Sequence, residues 1–337
     1  LKLPGEGVET IGRGNIKYVS LSKLSMMPEG IESMLERKQL ADLFAFLLSD
    51  RAPQTSPNKN LSLRVERGEK ELIVRAGEAE LLRFVMDPKE RPYMHPVRDA
   101  AGKVVLTDNR PADHPWQHGI FSGFRGNVNG HEYWLEKDGK QRFEKLLKLQ
   151  ETPDKVSWIA STIFVAPDGT QPVTEEDEIT VYAPEDDRYV IDFVLRLKAN
   201  ARDVAFEKYP VGGFAVRMPW DEKNPQQTHL NSNGQRGRQC EKQRAAWCNV
   251  ERPFDGNVYG IVVFDHPSNP DHPAAWRVDE QGLINPCVTG VNGWTLAMNA
   301  PREYRYRLIV YKGPASAQAL NRAFEDYSAS TVKPSAR

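Results

Sequence analysis

Two periodicities divide the chain. In the run from Gly30 to Ser49, apolar residues fall at Ile31, Met34, Leu35, Leu40, Leu43, Phe44 and Leu47. That spacing gives one wide apolar face on a helix, entered through Pro28 and Gly30. Residues 52–60 hold two prolines among polar groups and nothing to bury, which predicts a linker. From residue 61 the period becomes two. Leu61, Leu63 and Val65 alternate with polar neighbours, and Arg67-Gly68-Glu69 predicts a turn. Tyr189, Ile191, Phe193, Leu195 and Leu197 place five apolar groups on one strand face. Further strands are expected at 156–165, 178–182, 258–264 and 304–311, with a turn at Asp168-Gly169. Many alternating strands without long helices between them predict an all-β fold, an antiparallel β-sandwich or barrel. Near the end, Ala317, Leu320, Phe324 and Tyr327 share a helical face, followed by a polar tail. The expected organisation is therefore a helical segment 1–52, a linker 53–60, a β domain 61–313, and a helix with tail 314–337.

Composition narrows the function. Lys and Arg total 45 against 46 Asp and Glu, a net charge of -1. That balance argues against a protein held to nucleic acid by bulk positive charge. No apolar run approaches the ~20 residues that cross a bilayer, and no basic-then-apolar leader opens the sequence, which starts at Leu1. Three cysteines exclude a disulfide scaffold. Cys240 and Cys248 can pair and leave Cys287 odd, but reduced buried thiols are the expectation.

Histidine placement singles out candidate chemistry. His95, His114, His118 and His131 lie close together in Pro- and Gly-rich stretches, read as loops or strand ends. Histidines on loops carried by a rigid sheet suit binding and proton transfer. His114 and His118 are four apart, but Pro115 and Gly119 oppose a helix and no H-E-x-x-H is present. A looser divalent-metal site on His114 and His118 stays open. Asp113, Trp116 and Gln117 complete the cluster. A second group, Asp265-His266 through Asn269, His272 and Trp276, follows an apolar strand. Tryptophan beside Asp, Asn, His and Arg suits a sugar, whose C–H face stacks on indole while polar groups orient the hydroxyls. A third stretch runs from Glu207 through Gly212-Gly213 to Arg217, where the glycines predict a bulge or close backbone approach.

These motifs carry a resemblance. Arg91-Pro-Tyr with His95-Pro, Asp113-His114-Pro and His118-Gly119-Ile come first. Asn127-Val-Asn129-Gly130, Tyr133-Trp134, Gly212-Gly213 and Arg217 follow. Phe264-Asp-His266-Pro-Ser-Asn269, His272-Pro, Trp276 and Asn285-Pro close the series. Together they resemble the PmoA-like family, a bacterial family of unknown function with a methane-oxygenase label. That label conflicts with the polar mean hydropathy of -0.59 and the lack of a spanning run. The resemblance instead implies a supersandwich similar to galactose mutarotase-like folds, carbohydrate-directed chemistry and an extracytoplasmic location. Residues 1–50 resemble the end of a c-type cytochrome domain of large planctomycete-type secreted proteins, on the run Ser25-Met26-Met27-Pro28-Glu29-Gly30 and the helix from Leu40 to Leu47. Met27 would match its axial ligand, but C-x-x-C-H is absent, so haem is expected only in a longer parent protein.

The resulting expectation is a carbohydrate-active enzyme (epimerase, lyase or hydrolase in type). Histidines among His95, His114, His118, His266 and His272 would donate the proton, and Asp113 or Glu207 would accept one. Trp116, Gln117, Arg217, Asn269, Trp276 and Asn285 would bind the sugar. The alternatives are a non-catalytic carbohydrate-binding module and a cytochrome-linked redox protein. The enzyme reading assumes that both histidine groups meet in one pocket.

Overall fold

The computed structural model describes residues 62–126, 128–221, 228–278 and 281–329. The expectations for the helical segment, the linker, Met27, Asn127 and the tail after 329 lie outside these residues. The chain divides into Leu1–Pro57 and Asn58–Arg337, and everything below concerns the second unit.

Alternation of side chains builds two eight-stranded sheets. The first has the order β1 (Leu63–Arg67), β2 (Glu71–Ala76), β3 (Ala79–Val85), β4 (Tyr93–Val97), β5 (Ile120–Phe124), β11 (Gly212–Arg217), β16 (Leu283–Cys287), β15 (Ala275–Val278). The second runs β12 (Thr228–Asn231), β13 (Trp247–Phe254), β14 (Asn257–Asp265), β18 (Arg302–Lys312), β9 (Arg188–Ala199), β8 (Val173–Tyr182), β7 (Lys155–Val165), β6 (Lys140–Thr152). Neighbouring strands are antiparallel, and β10 (Val204–Phe206) pairs with β17 (Trp294–Leu296) outside both sheets. The fold is thus the all-β antiparallel sandwich that the alternation predicts, with one α-helix among the described residues, α1 (Ala317–Ala329).

Burial alternates strictly along β8 and β9, so every second side chain enters the space between the sheets. Aromatic rings stitch that space. Phe214 of β11 lies 4.8 Å from Phe193 of β9 and 4.8 Å from Tyr306 of β18, centroid to centroid. Phe84 of β3 meets Trp158 of β7 at 5.4 Å. Each such ring contributes about 1.5–3 kcal/mol by leaving water.

The two outer faces are covered differently. On the second sheet, α1 lays Leu320, Phe324 and Tyr327 onto Trp247, Val262 and Phe264. Ser316 starts the helix by accepting the Ala319 N–H on its Oγ (3.1 Å), a typical N-cap bond. On the first sheet, Tyr93, Phe121, Ala215 and Leu283 form a floor, covered by loop residues Trp116, Leu135 and Tyr209. No helix among the described residues is long and apolar enough to cross a membrane.

Between the sheets lies a polar group that the alternation alone does not announce. Ser122, Gln141, Glu175 and Asp177 are buried together, with Ser122 Oγ bonded to Glu175. Gln141 Nε2 reaches Glu175 Oε2 at 3.5 Å. Burial, only partly offset by the Ser122 and Asp177 bonds and the Arg91 charge, pushes the Glu175 carboxyl up from 4.5 to about 7. The unfolded chain therefore ionises Glu175 first. Its contribution to stability is full below about pH 4.5 and is lost as pH rises toward 7. Melting curves across that window should show Glu175→Gln less sensitive to pH than wild type. Equal slopes for both proteins would reject this assignment.

Candidate functional site

Three adjacent strands of the first sheet end together. Tyr93 and Met94 of β4 pair with Phe121 and Ile120 of β5, and Ile120 pairs with Val216 of β11. Arg217 donates its main-chain N–H to Gly119 (2.7 Å). A Cβ at Gly119 would stand 2.3 Å from the Met94 carbonyl oxygen, so only glycine allows this approach. His95, His118 and Arg217 thereby reach one rim on the outer face.

His95 lies within β4 rather than in a loop, correcting the reading from its proline neighbours. The strand tolerates Pro96 because its pairing with β3 shifts register between Leu82 and Phe84. His95 Nδ1 is 3.0 Å from Thr107 Oγ1, which also accepts the Val97 N–H. Burial lowers the His95 pKa, and the nearby Arg98 and Arg83 charges lower it further against the pull of Asp108.

His118 is buried, and its ring stacks on Tyr93 at 4.3 Å and 14°. Its Nδ1 donates to Asn109 Oδ1 (2.7 Å). Burial, reinforced by the Arg91, Arg110 and His95 charges, drops its pKa well below the usual imidazole value. His118 is therefore neutral at pH 7.

The loop between β4 and β5 carries Asp113 through Gln117 in turn conformation, not as a helix. His114 donates Nδ1–H to Asp113 Oδ2 at 2.8 Å. The Arg217 guanidinium, 4% exposed, donates to Gln117 Oε1 (2.8 Å) and lies 3.4 Å from Asp113 Oδ2. Burial raises the Asp113 pKa, but the His114 bond and the Arg217 charge outweigh it and hold the carboxyl below its ordinary value. The His114 side chain stays 24% exposed, with the Trp116 ring edge-on at 5.3 Å. Arg217 Nε and Trp116 Nε1 are buried and have no acceptor among the described residues.

The second histidine group is elsewhere. Leu283 of β16 pairs with Arg217, whereas Cys287 at its other end pairs with Ala275, three residues after His272. Four strand residues separate those ends by about 13 Å, and Asp265-His266 terminate a strand of the second sheet. The expected common pocket is not formed. Instead this segment braces itself. Buried Asp265 accepts from Asn269 Nδ2 (2.7 Å), His272 Nδ1 (2.8 Å) and the Ala274 N–H (2.8 Å). Asn269 also clamps the Arg305 main chain on both sides, at 2.7 and 2.6 Å. His266 accepts the Ser268 N–H on Nδ1 and packs edge-on against Tyr327, while His272 stacks on Phe324. The His266 pKa is lowered by burial and by the Arg305 charge.

Three more candidates have structural places. Trp276 is 1% exposed and donates Nε1–H to the Ala245 carbonyl, so it is a core residue and not a stacking platform. Asn285 is fully buried and bonds the main chain of Gly212 and Phe214, joining strands instead of facing ligand. Glu207 lies exposed between β10 and β11, beside Gly293 and apart from the Asp113–His114 rim. Among the described residues no three His, Cys, Asp or Glu side chains gather as a metal-ligand set.

The sequence reading missed Asn109, Thr107, Tyr93 and Arg91. Arg91 is 1% exposed and donates to the carbonyls of Ser122 (3.3 Å), Tyr133 (2.8 Å) and Trp134 (2.7 Å). A Cβ at Gly123 would lie 2.5 Å from its Nη1, so the glycine makes the room. A polar Asp-Asn-Arg run before Pro111 was the available signal for Asn109.

A family model described as "Family of unknown function (DUF6807)" matches residues 71–325. The chain belongs to the DUF6807 family. Every rim residue named above falls inside the matched span of this DUF6807 domain. No curated protein matches the sequence. Among solved structures, a heparinase III with methylated lysines aligns at TM-score 0.36 and 11% identity. The alignment covers 84% of this DUF6807 chain and 41% of that protein.

Proposed function

We propose that the DUF6807 domain is an enzyme that moves protons on a saccharide at the rim formed by His114, Asp113 and Arg217. The observation that carries this reading is the Asp113–His114 pair. A partly exposed imidazole has its Nδ1–H fixed on a carboxylate, and that carboxylate is held ionised by a buried guanidinium. Nε2 of His114 is then the free base. It accepts a proton from a sugar O–H or C–H, Asp113 stabilises the imidazolium, and the same nitrogen returns the proton to a ring carbon or departing oxygen. Elimination uses this cycle as written; hydrolysis would take the proton from an attacking water, and epimerisation at carbon would need a second proton donor on the opposite ring face. The saccharide class rests on the half-buried Trp116 ring beside His114. Neutral His118 and His95 stand beside them as further hydrogen-bonding groups.

A panel of glycans and glycosides incubated with the full chain tests the reading by product analysis. On the substrate found, Asp113→Asn should cut turnover about 10²-fold, the lower end of what acid–base catalysis supplies, with Tm near wild type. Saturable binding with no product from any member of the panel would reject catalysis and leave a binding module.

A further inference from the structure

The outer face of the first sheet holds a second feature, at the opposite end from the His114 rim. A cavity of about 570 Å³ opens there, bordered by Lys208, Tyr209, Lys242, Arg244 and Arg277 among others. Among its described lining residues four are cationic and none is acidic. Arg277 is neutralised by Glu241 at 2.5 Å. The other three charges are not cancelled. Arg244 spends its Nη2 on the main-chain carbonyls of Asp271 (2.7 Å) and His272 (3.4 Å), which orient the guanidinium and leave its charge intact. Lys208 and Lys242 are exposed, and the ion pairs of the described residues include neither. Arg125 adds a fourth cation at the margin, 5.3 Å over the Tyr209 ring. In a chain of net charge -1, such a local excess is not a reflection of composition.

We infer that this cleft binds an oxyanion-bearing saccharide, its carboxylate or sulfate groups meeting Lys208, Lys242 and Arg244 and a sugar face lying along Tyr209. Concave walls of one sign raise the local concentration of the opposite charge. The volume fits a ligand of a few rings. Tyr209 also belongs to the cover of the Tyr93–Phe121–Ala215 floor that Trp116 shares, so both sites lie along one face of the sheet. The saccharide part of this inference rests on the function proposed above, and the anionic part rests on the cleft alone.

Binding of oligogalacturonate, a chondroitin sulfate oligosaccharide, neutral cellohexaose and a single-stranded oligothymidylate to the full chain would be measured by calorimetry at about 150 mM salt, where exposed charges are screened beyond ~8 Å. At least one anionic saccharide should bind about tenfold tighter than cellohexaose, a 1.4 kcal/mol difference. The carboxylate and sulfate arms show which anion is preferred. Lys208→Ala/Lys242→Ala should weaken that binding about tenfold with unchanged Tm, and His114→Ala should leave it intact. Equal affinity for cellohexaose, no effect of the double variant, or tightest binding of the oligothymidylate would overturn the assignment. Anionic binding that persists when no glycan is turned over would keep the cleft and discard the acid–base function, so the two readings fail separately.

Discussion

Arg91→Met is expected to destabilise the domain by about 3–5 kcal/mol. The Arg91 guanidinium closes three main-chain carbonyls, those of Ser122, Tyr133 and Trp134, in a place where water does not reach. Methionine keeps most of the volume but donates nothing. Each abandoned buried acceptor costs about 1–3 kcal/mol, partly recovered because a cation no longer has to be desolvated. Burial already lowers the Arg91 pKa despite the pull of Glu136, Glu132 and Glu175, which shows how expensive that desolvation is. Urea titration of both proteins gives the difference directly. A loss under about 1 kcal/mol would mean that these carbonyls find other partners. Arg91→Lys should fall between the two, since an ammonium cannot reach three carbonyls with a planar fork.

The second large effect belongs to chemistry. His114→Ala should reduce turnover about 10²–10⁴-fold on the substrate identified by the glycan panel. Stability should barely change, because the imidazole's hydrogen bond is to exposed Asp113, it lies edge-on to Trp116, and it remains partly exposed. A fall in Tm comparable to that of a core substitution, with turnover retained, would make His114 a loop brace. His272→Ala provides the contrast. That histidine is tied to buried Asp265 and stacked on Phe324, so its loss should lower Tm and leave the rate per folded molecule unchanged.

Part of the sandwich could be read from alternation, and register slips explain one of the strands that could not. The strand at Arg188–Ala199 is strictly periodic in burial, and its face was visible as Tyr189 through Leu197. The strand at Lys140–Thr152 went unseen because its pairing slips between Phe143 and Lys145 and again between Leu146 and Lys148. Each slip inverts the inside–outside order, so no period of two survives in the sequence.

The site divides in the same way. The Asp113–His114 contact is local and was legible. The Arg217–Gln117 bond spans 100 positions and depends on strand order, which sequence pattern does not supply. The second His pair misled for a physical reason. Asp, Asn and His in a proline-rich turn have the composition of a ligand site, yet here the same groups satisfy the turn's own main chain.

The unequal covering of the two sheets bears on how this architecture can diverge. The helix over one sheet is tied into Trp247 and Phe264, so that side resists insertion and exchange. The other side is roofed by excursions between strands, whose lengths can drift while the sheet of hydrogen bonds beneath stays put. Relatives that acquire new preferences should therefore differ in those excursions first, and grafting the segment between Asp108 and Gln117 from one relative to another is the shortest route to transferring a preference.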